Sequence, residues 1–163
     1  MAEDSKQNAG FIFITFILAM ALTVVPLPEW ARAFRPEWIT LVLVYWCLTA
    51  PTKINVGIGW IAGFAQDVLI GSLLGQHALA LTVVAFVTIK VHKQLRIYPM
   101  WQQALSILVL IALSQLLVVW VKGIIGDTPA SWLYWAPSFT SALLWPWVYL
   151  LLSDSSRRFR TNN

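Results

Sequence analysis

Residues 54–75 read INVGIGWIAGFAQDVLIGSLLG, an apolar stretch with glycine or aspartate at strict four-residue spacing. On a helix, positions four residues apart form one slowly drifting stripe, and small residues there let another helix backbone approach closely. The stretch therefore predicts a membrane helix that packs against protein along one face. Its stripe consists of Gly59, Gly63, Asp67, Gly71 and Gly75.

The last two glycines of the stripe have a second interpretation. The segment GSLLGQ at 71–76 looks less helical than the residues before it, so Gly71 and Gly75 could belong to a turn. The sequence leaves both interpretations open.

Asp67 is the only acidic residue deep within an apolar stretch. A carboxylate at the centre of a helix in lipid costs about 2.5–3.5 kcal/mol, so we expect it to face protein or a water-filled cavity. The alternative is a protonated carboxyl group that donates one hydrogen bond. Three interpretations follow, namely a polar clamp between helices, a ligand or lipid-headgroup site, and, with least support, a proton or ion path. The candidate partners are Arg35, His77 and Gln115.

Composition places the whole chain in the same class. It is 59% hydrophobic and 11% charged, whereas a soluble domain carries about a quarter charged residues. The net charge of +4 does not indicate nucleic-acid binding, because the basic residues lie at the ends of apolar stretches, where they set membrane orientation. The single cysteine excludes a disulfide within one chain. No catalytic, metal-binding or cofactor motif is found.

Six apolar stretches predict an all-α, polytopic six-helix transmembrane bundle without a large soluble domain. We expect a short cytoplasmic tail at 1–9, a single bundle at 10–152 and a basic cytoplasmic tail at 153–163. The stretches cover residues 10–25, 36–50, 54–75, 77–91, 101–125 and 131–152.

The basic residues indicate the orientation of the bundle. With six spans, eight of them fall on one side and three on the other (Arg32, Arg35 and Lys122), which puts both termini in the cytoplasm. In the alternative, the second stretch is re-entrant and returns to the side from which it entered, so that five spans remain. The basic residues then divide nine against two, and the N-terminus lies outside. Six spans are favoured because Trp38 and the region around Trp30 look like interfacial anchors.

Five segments, in this order and spacing, resemble the MreD family of rod shape-determining proteins in its short proteobacterial form. The resemblance covers nearly the whole chain. The segments are FRPEW (34–38), LVYWCLTAP (43–51), NVGIGWIAGFAQDVLIGSLLGQHALAL (55–81), MWQQAL (100–105) and LLWPWVYLLL (143–152).

The resemblance implies a non-catalytic inner-membrane subunit of the complex that elongates the cell wall of rod-shaped bacteria. Its expected partners are the bitopic protein MreC and, less directly, the actin-like MreB, the glycosyltransferase RodA and a class B penicillin-binding protein. It also implies a fold similar to the substrate-capture subunits of energy-coupling-factor transporters. The family's glycines around an intramembrane aspartate correspond to the stripe, and its Arg-Pro pair, near Trp38, corresponds to Arg35 and Pro36.

Two functional hypotheses follow. In the first, the chain is a membrane scaffold that holds the MreC-like helix, so that Gly63→Leu breaks the complex while Asp67→Asn is mild. In the second, it is a binding module with an internal pocket around Asp67 for a lipid-linked or amphiphilic ligand, and Asp67→Asn abolishes function. Homo-oligomerisation through the glycine face is left open.

Overall fold

The computed structural model describes residues 2–127, 129 and 131–161, with only the backbone described at 2–7 and at 160. Every regular element in this part of the chain is helical, which confirms the all-α class. The helices are α1 (Ala2–Val24), α2 (Glu29–Arg32), α3 (Trp38–Thr49), α4 (Val56–Ile70), α5 (Gln76–Ile97), α6 (Met100–Ile125), a 3-10 helix (Trp132–Trp135) and α7 (Ala136–Thr161).

Each of the six apolar stretches overlaps one of the longer helices, but several helix ends differ from the expected ones. α4 stops at Ile70 because Gly71 adopts a left-handed backbone conformation (φ 75°) that a helix cannot continue through. The described parts of the two expected tails, residues 2–9 and 153–161, continue α1 and α7. Pro146 lies inside α7, where it removes one backbone hydrogen bond.

α3 lies at the centre of the bundle. All of its residues from Ile39 to Leu48 are buried, and it packs against α1, α5 and α7. It runs antiparallel to α1, because Trp46 near its C-terminal end donates a hydrogen bond to the Thr15 hydroxyl (2.9 Å), whereas Arg35 just before it contacts the C-terminal end of α1. A helix that is hydrophobic all round is a buried helix, which explains why α3 shows no polar face.

The outer helices present apolar faces to the surroundings. Within the described residues, α5 and α6 are long and apolar enough to cross a membrane, and 8–24, 38–49 and 56–70 are shorter apolar helices. The outer stripe of α6 is apolar along its whole length, and its large side chains are 53–66% exposed. Such a surface suits lipid or a neighbouring membrane helix. The stripe consists of Trp101, Leu105, Val109, Leu116 and Trp120.

Candidate functional site: a polar cluster at the α4–α5 turn

The Asp67 carboxylate lies in the last turn of α4 and is completely buried. Its Oδ1 accepts hydrogen bonds from the Ser72 hydroxyl (2.8 Å) and the His77 backbone N–H (3.0 Å), and lies 2.7 Å from His77 Nδ1. Its Oδ2 accepts from the backbone N–H groups of Gly75 (2.9 Å) and, at a longer distance, Ala78 (3.4 Å). The acid therefore packs against the turn after α4 and the start of α5.

These contacts make Asp67 the N-terminal cap of α5. The first N–H groups of a helix have no partner within the helix, and here the preceding residue, Gly75, has no side chain to supply one. The carboxylate of the preceding helix fills this role, and its negative charge suits the positive end of the helix dipole. Of the three candidate partners predicted from the sequence, His77 is the one in contact with Asp67.

Two glycines of the stripe form the turn that brings the carboxylate to α5. Gly71 and Gly75 both have positive φ angles (75° and 100°), which L side chains rarely adopt. The backbone N–H of Gly71 closes α4 by donating to the Asp67 carbonyl (3.0 Å). A Cβ on either glycine would meet no other atom within 4 Å, so these positions need glycine for the backbone conformation and not for close packing.

The other two glycines contact α5 of the same chain. A Cβ on Gly63 would lie 2.3 Å from the His77 carbonyl oxygen and 2.6 Å from the Ala78 Cα, both of which belong to the backbone. A Cβ on Gly59 would lie 2.9 Å from the Leu81 carbonyl oxygen. The small-residue face is therefore covered by α5, and the stripe divides into two packing positions and two turn positions around Asp67.

Arg35 lies at the end of α1, away from Asp67. Its guanidinium group donates to the carbonyl oxygens of Thr23 and Val25 (2.5 Å to Val25), which are among the last acceptors of that helix. A cation at a helix C-terminus also suits the dipole. Pro36 lies outside α3, and Trp38 is the first residue of that helix and packs partly buried against the core. These residues fix the α1–α3 connection.

Gln115, the third candidate partner, joins α6 to the following segment instead. Its side-chain N–H donates to the Tyr134 carbonyl oxygen (2.8 Å), and its side-chain oxygen accepts from the Ser138 hydroxyl. It therefore holds the 3-10 helix and the start of α7 against α6.

A cavity of about 820 Å³ opens beside this turn. Glu37, which precedes α3, interacts electrostatically with His77 and forms a hydrogen bond with the side-chain amide of Gln66. The second polar atom of that amide, Gln66 Oε1, is buried without a hydrogen-bond partner. Asp67, His77, Glu37 and Gln66 thus form one group, the polar cluster. The charged or polar side chains on the cavity wall are Arg32, Glu37, Ser72, Gln76, His77, Gln115, Lys122, Asp127 and Tyr134.

Sequence reasoning missed Glu37 and Gln66. The signals were present, because Glu37 begins an otherwise apolar stretch and Gln66 is the polar neighbour of Asp67, but they lie 29 residues apart and no periodicity joins them.

The cavity wall carries both signs of charge, so it suits a polar or zwitterionic group. Among the described residues, no group of three or more His, Cys, Asp or Glu side chains is placed to hold a metal ion. The side chains on the cavity wall can offer hydrogen bonds and charge to a ligand, and the Asp67 carboxylate positions His77 among them.

Comparison with known proteins agrees with the sequence segments quoted above. The family model for "rod shape-determining protein MreD" matches residues 5–154. The chain is 32% identical over 145 residues to the rod shape-determining protein MreD of Haemophilus influenzae, covering 89% of this chain and 90% of that protein. No solved structure matches the chain significantly, so the similarity to energy-coupling-factor subunits stays a prediction. The chain belongs to the MreD family of rod shape-determining proteins, which are membrane proteins.

Proposed function

We propose that the chain is a non-catalytic scaffold in the bacterial inner membrane, within the complex that synthesises the lateral cell wall. It holds the transmembrane helix of an MreC-like bitopic protein and, through that protein, acts with MreB, RodA and a class B penicillin-binding protein. Family membership supports the role in rod shape; the scaffold mechanism is our inference.

The observation that carries this proposal is that buried polar side chains hold the ends of helices in place. Asp67 caps the start of α5, and Arg35 caps the end of α1. Gln103 donates to the Leu95 carbonyl oxygen at the end of α5 (2.9 Å) and accepts from the Trp145 indole N–H (3.3 Å). Each holds one helix end against another part of the chain, which gives a bundle of fixed shape with an apolar exterior. This suits a protein that positions others within the bilayer.

Six spans with both termini in the cytoplasm fit the arrangement of the cations. Arg32 and Lys122 line the same cavity, as expected if the 26–37 segment and the end of α6 lie on one side of the membrane. Lys53, Arg96 and Arg157 line a different cavity, and all three belong to the cytoplasmic set in both topologies. The five-span alternative separates Arg32 from Lys122 and is less well supported.

The scaffold proposal is tested by co-purification with the MreC-like partner in mild detergent. One variant replaces Trp60, Phe64 and Val68 on the exposed outer face of α4 by alanine, and the other replaces Trp101, Val109 and Trp120 on α6. We expect one of these two variants to lose the partner and rod shape, while the other variant retains the partner and rod shape. The thermal stability of both variants should be unchanged. Full retention in both variants, or no co-purification with the unmodified chain, would contradict a scaffold at these faces.

A second candidate is a binding module that takes an amphiphilic ligand in the cavity beside the polar cluster. It is favoured by the cavity volume of about 820 Å³ and by the charged groups on its wall. Glu37→Gln keeps the shape of the side chain and removes its charge. If the cavity binds a ligand, this variant should lose rod-shape function while it still folds and retains the partner; a pure scaffold should tolerate it.

A further inference from the structure

A basic cavity lies among the C-terminal ends of α3 and α5 and the second half of α7, and it has a volume of about 470 Å³. Three cationic side chains from three different elements line it: Lys53 from the α3–α4 connection, Arg96 from α5 and Arg157 from α7. No carboxylate is present among the described residues that line it, and none of the described ion pairs involves these cations. The cavity is therefore built for an anion.

The remaining polar lining of this cavity can bind oxygen atoms. Hydroxyl-bearing side chains, among them Thr52, Tyr149 and Ser153, share the wall with the cations. The N–H groups of an arginine guanidinium and the hydroxyl groups can donate hydrogen bonds to the tetrahedral oxygens of a phosphate group. They are less suited to a planar apolar ligand. The chemistry of the cavity thus points to a phosphate ester.

An apolar groove of about 450 Å³ adjoins the basic cavity. The two share Ile12 and Lys53, and apart from Lys53 the groove is lined by apolar side chains of α1, the α3–α4 connection and α4. Phe13 and Ile61 at its walls are 65% and 62% exposed, so the groove opens sideways from the bundle. A charged cavity continuous with an apolar groove has the two-part chemistry of a phospholipid.

We propose that the basic cavity and this groove form one binding site for an anionic phospholipid. The phosphate-bearing headgroup contacts Lys53, Arg96 and Arg157, and an acyl chain lies between α1 and α4 against Phe13, Phe16 and Ile61. Basic pockets between membrane helices bind anionic headgroups in this way. The site lies opposite the polar cluster of the α4–α5 turn, and the proposal does not depend on the scaffold function.

The headgroup part is tested by native mass spectrometry of the purified full chain in neutral detergent, titrated with phosphatidylglycerol or phosphatidylcholine. The triple variant Lys53→Gln, Arg96→Gln, Arg157→Gln removes the cavity cations. The matched control Lys90→Gln, Lys93→Gln, Arg158→Gln removes the same charge from residues outside the cavity. At about fivefold per basic residue, we expect the cavity variant to bind phosphatidylglycerol roughly a hundredfold more weakly and the control to stay within about threefold.

The groove part is tested with Phe16→Ala and Ile61→Trp, which empty and fill the groove, and with Val109→Trp on α6 as the control. Phosphatidylglycerol binding should fall in the groove variants and not in the control, and inorganic phosphate at equal concentration should not compete. The site would be overturned if the cavity variant and its charge-matched control lost phosphatidylglycerol binding equally. It would also be overturned if inorganic phosphate displaced phosphatidylglycerol. Lipid binding unchanged in the cavity variant, with loss of an acidic protein partner instead, would also overturn it.

Discussion

At the scale of single residues, Asp67 does not act alone but as one member of a polar cluster. Its carboxylate contacts the side chains of Ser72 and His77 and accepts hydrogen bonds from the backbone N–H groups at the start of α5, in a site with no exposure to solvent. A carboxylate has two acceptor oxygens, whereas an asparagine has one oxygen and an N–H₂ group that would face other donors. The residue is therefore not replaceable by its nearest isostere.

We expect Asp67→Asn to lower the free energy of unfolding by about 1–3 kcal/mol, because buried N–H donors lose a charged acceptor. The measurement is thermal unfolding of the purified chain in detergent. Asp154→Asn serves as the control, because that carboxylate is 62% exposed and pairs with Arg158 in the next helical turn. The loss of this pair should cost less than about 0.5 kcal/mol. Equal melting temperatures for the two variants would refute the capping role.

Gln103 makes a second residue-scale prediction. Its buried side chain joins the end of α5 to Trp145, so Gln103→Met leaves the Leu95 carbonyl and the indole N–H without these partners. The expected loss is about 1–3 kcal/mol. Gln102→Met, the same change at the neighbouring half-buried position, should have a smaller effect in the same unfolding assay. A reversed order would mean that these bonds do not hold α5 to α7.

At the scale of elements, the α4–α5 pair behaves as one hairpin. Gly59 and Gly63 let the two backbones come close, Gly71 and Gly75 make the turn, and Asp67 joins the two helices. Gly63→Leu would therefore separate two helices of the same chain. Loss of a partner in that variant would report a damaged fold and would not identify a partner-binding face.

A smaller substitution tests the hairpin directly. Gly63→Ala places a Cβ 2.3 Å from the His77 carbonyl oxygen, so the helices must move apart, at a cost of about 1–3 kcal/mol. Gly10→Ala on α1 is the matched control, because its Cβ would meet nothing within 4 Å and alanine favours the helix by about 1 kcal/mol. Thermal unfolding should show opposite signs for the two variants; a stabilising Gly63→Ala would disprove the close approach.

At the scale of the whole molecule, the cavity beside the polar cluster and the basic cavity lie at opposite ends of the bundle. Their positions predict which loops share a side of the membrane. With Cys47 replaced by alanine, single cysteines at Glu29 and Asp127 should react with an impermeant maleimide from outside the inner membrane. Cysteines at Thr52 and Asp154 should react only after permeabilisation. Protection of the Glu29→Cys variant in intact spheroplasts would instead support five spans with a re-entrant second stretch.

The sequence by itself determined the all-helical class and the approximate position of each long helix, because these depend on apolar composition and on glycines and prolines near helix ends. The order and spacing of the five quoted segments pointed to the family. The sequence also pointed to Asp67 and named His77 among its partners, because the two lie only ten residues apart across a short turn. Only the tertiary structure decided that two of the glycines pack against α5 and two form the turn, and that Glu37, with Gln66 bound to it, lies next to His77, the partner of Asp67. Distant segments meet only when helices pack, and no local pattern encodes which side chains then come together.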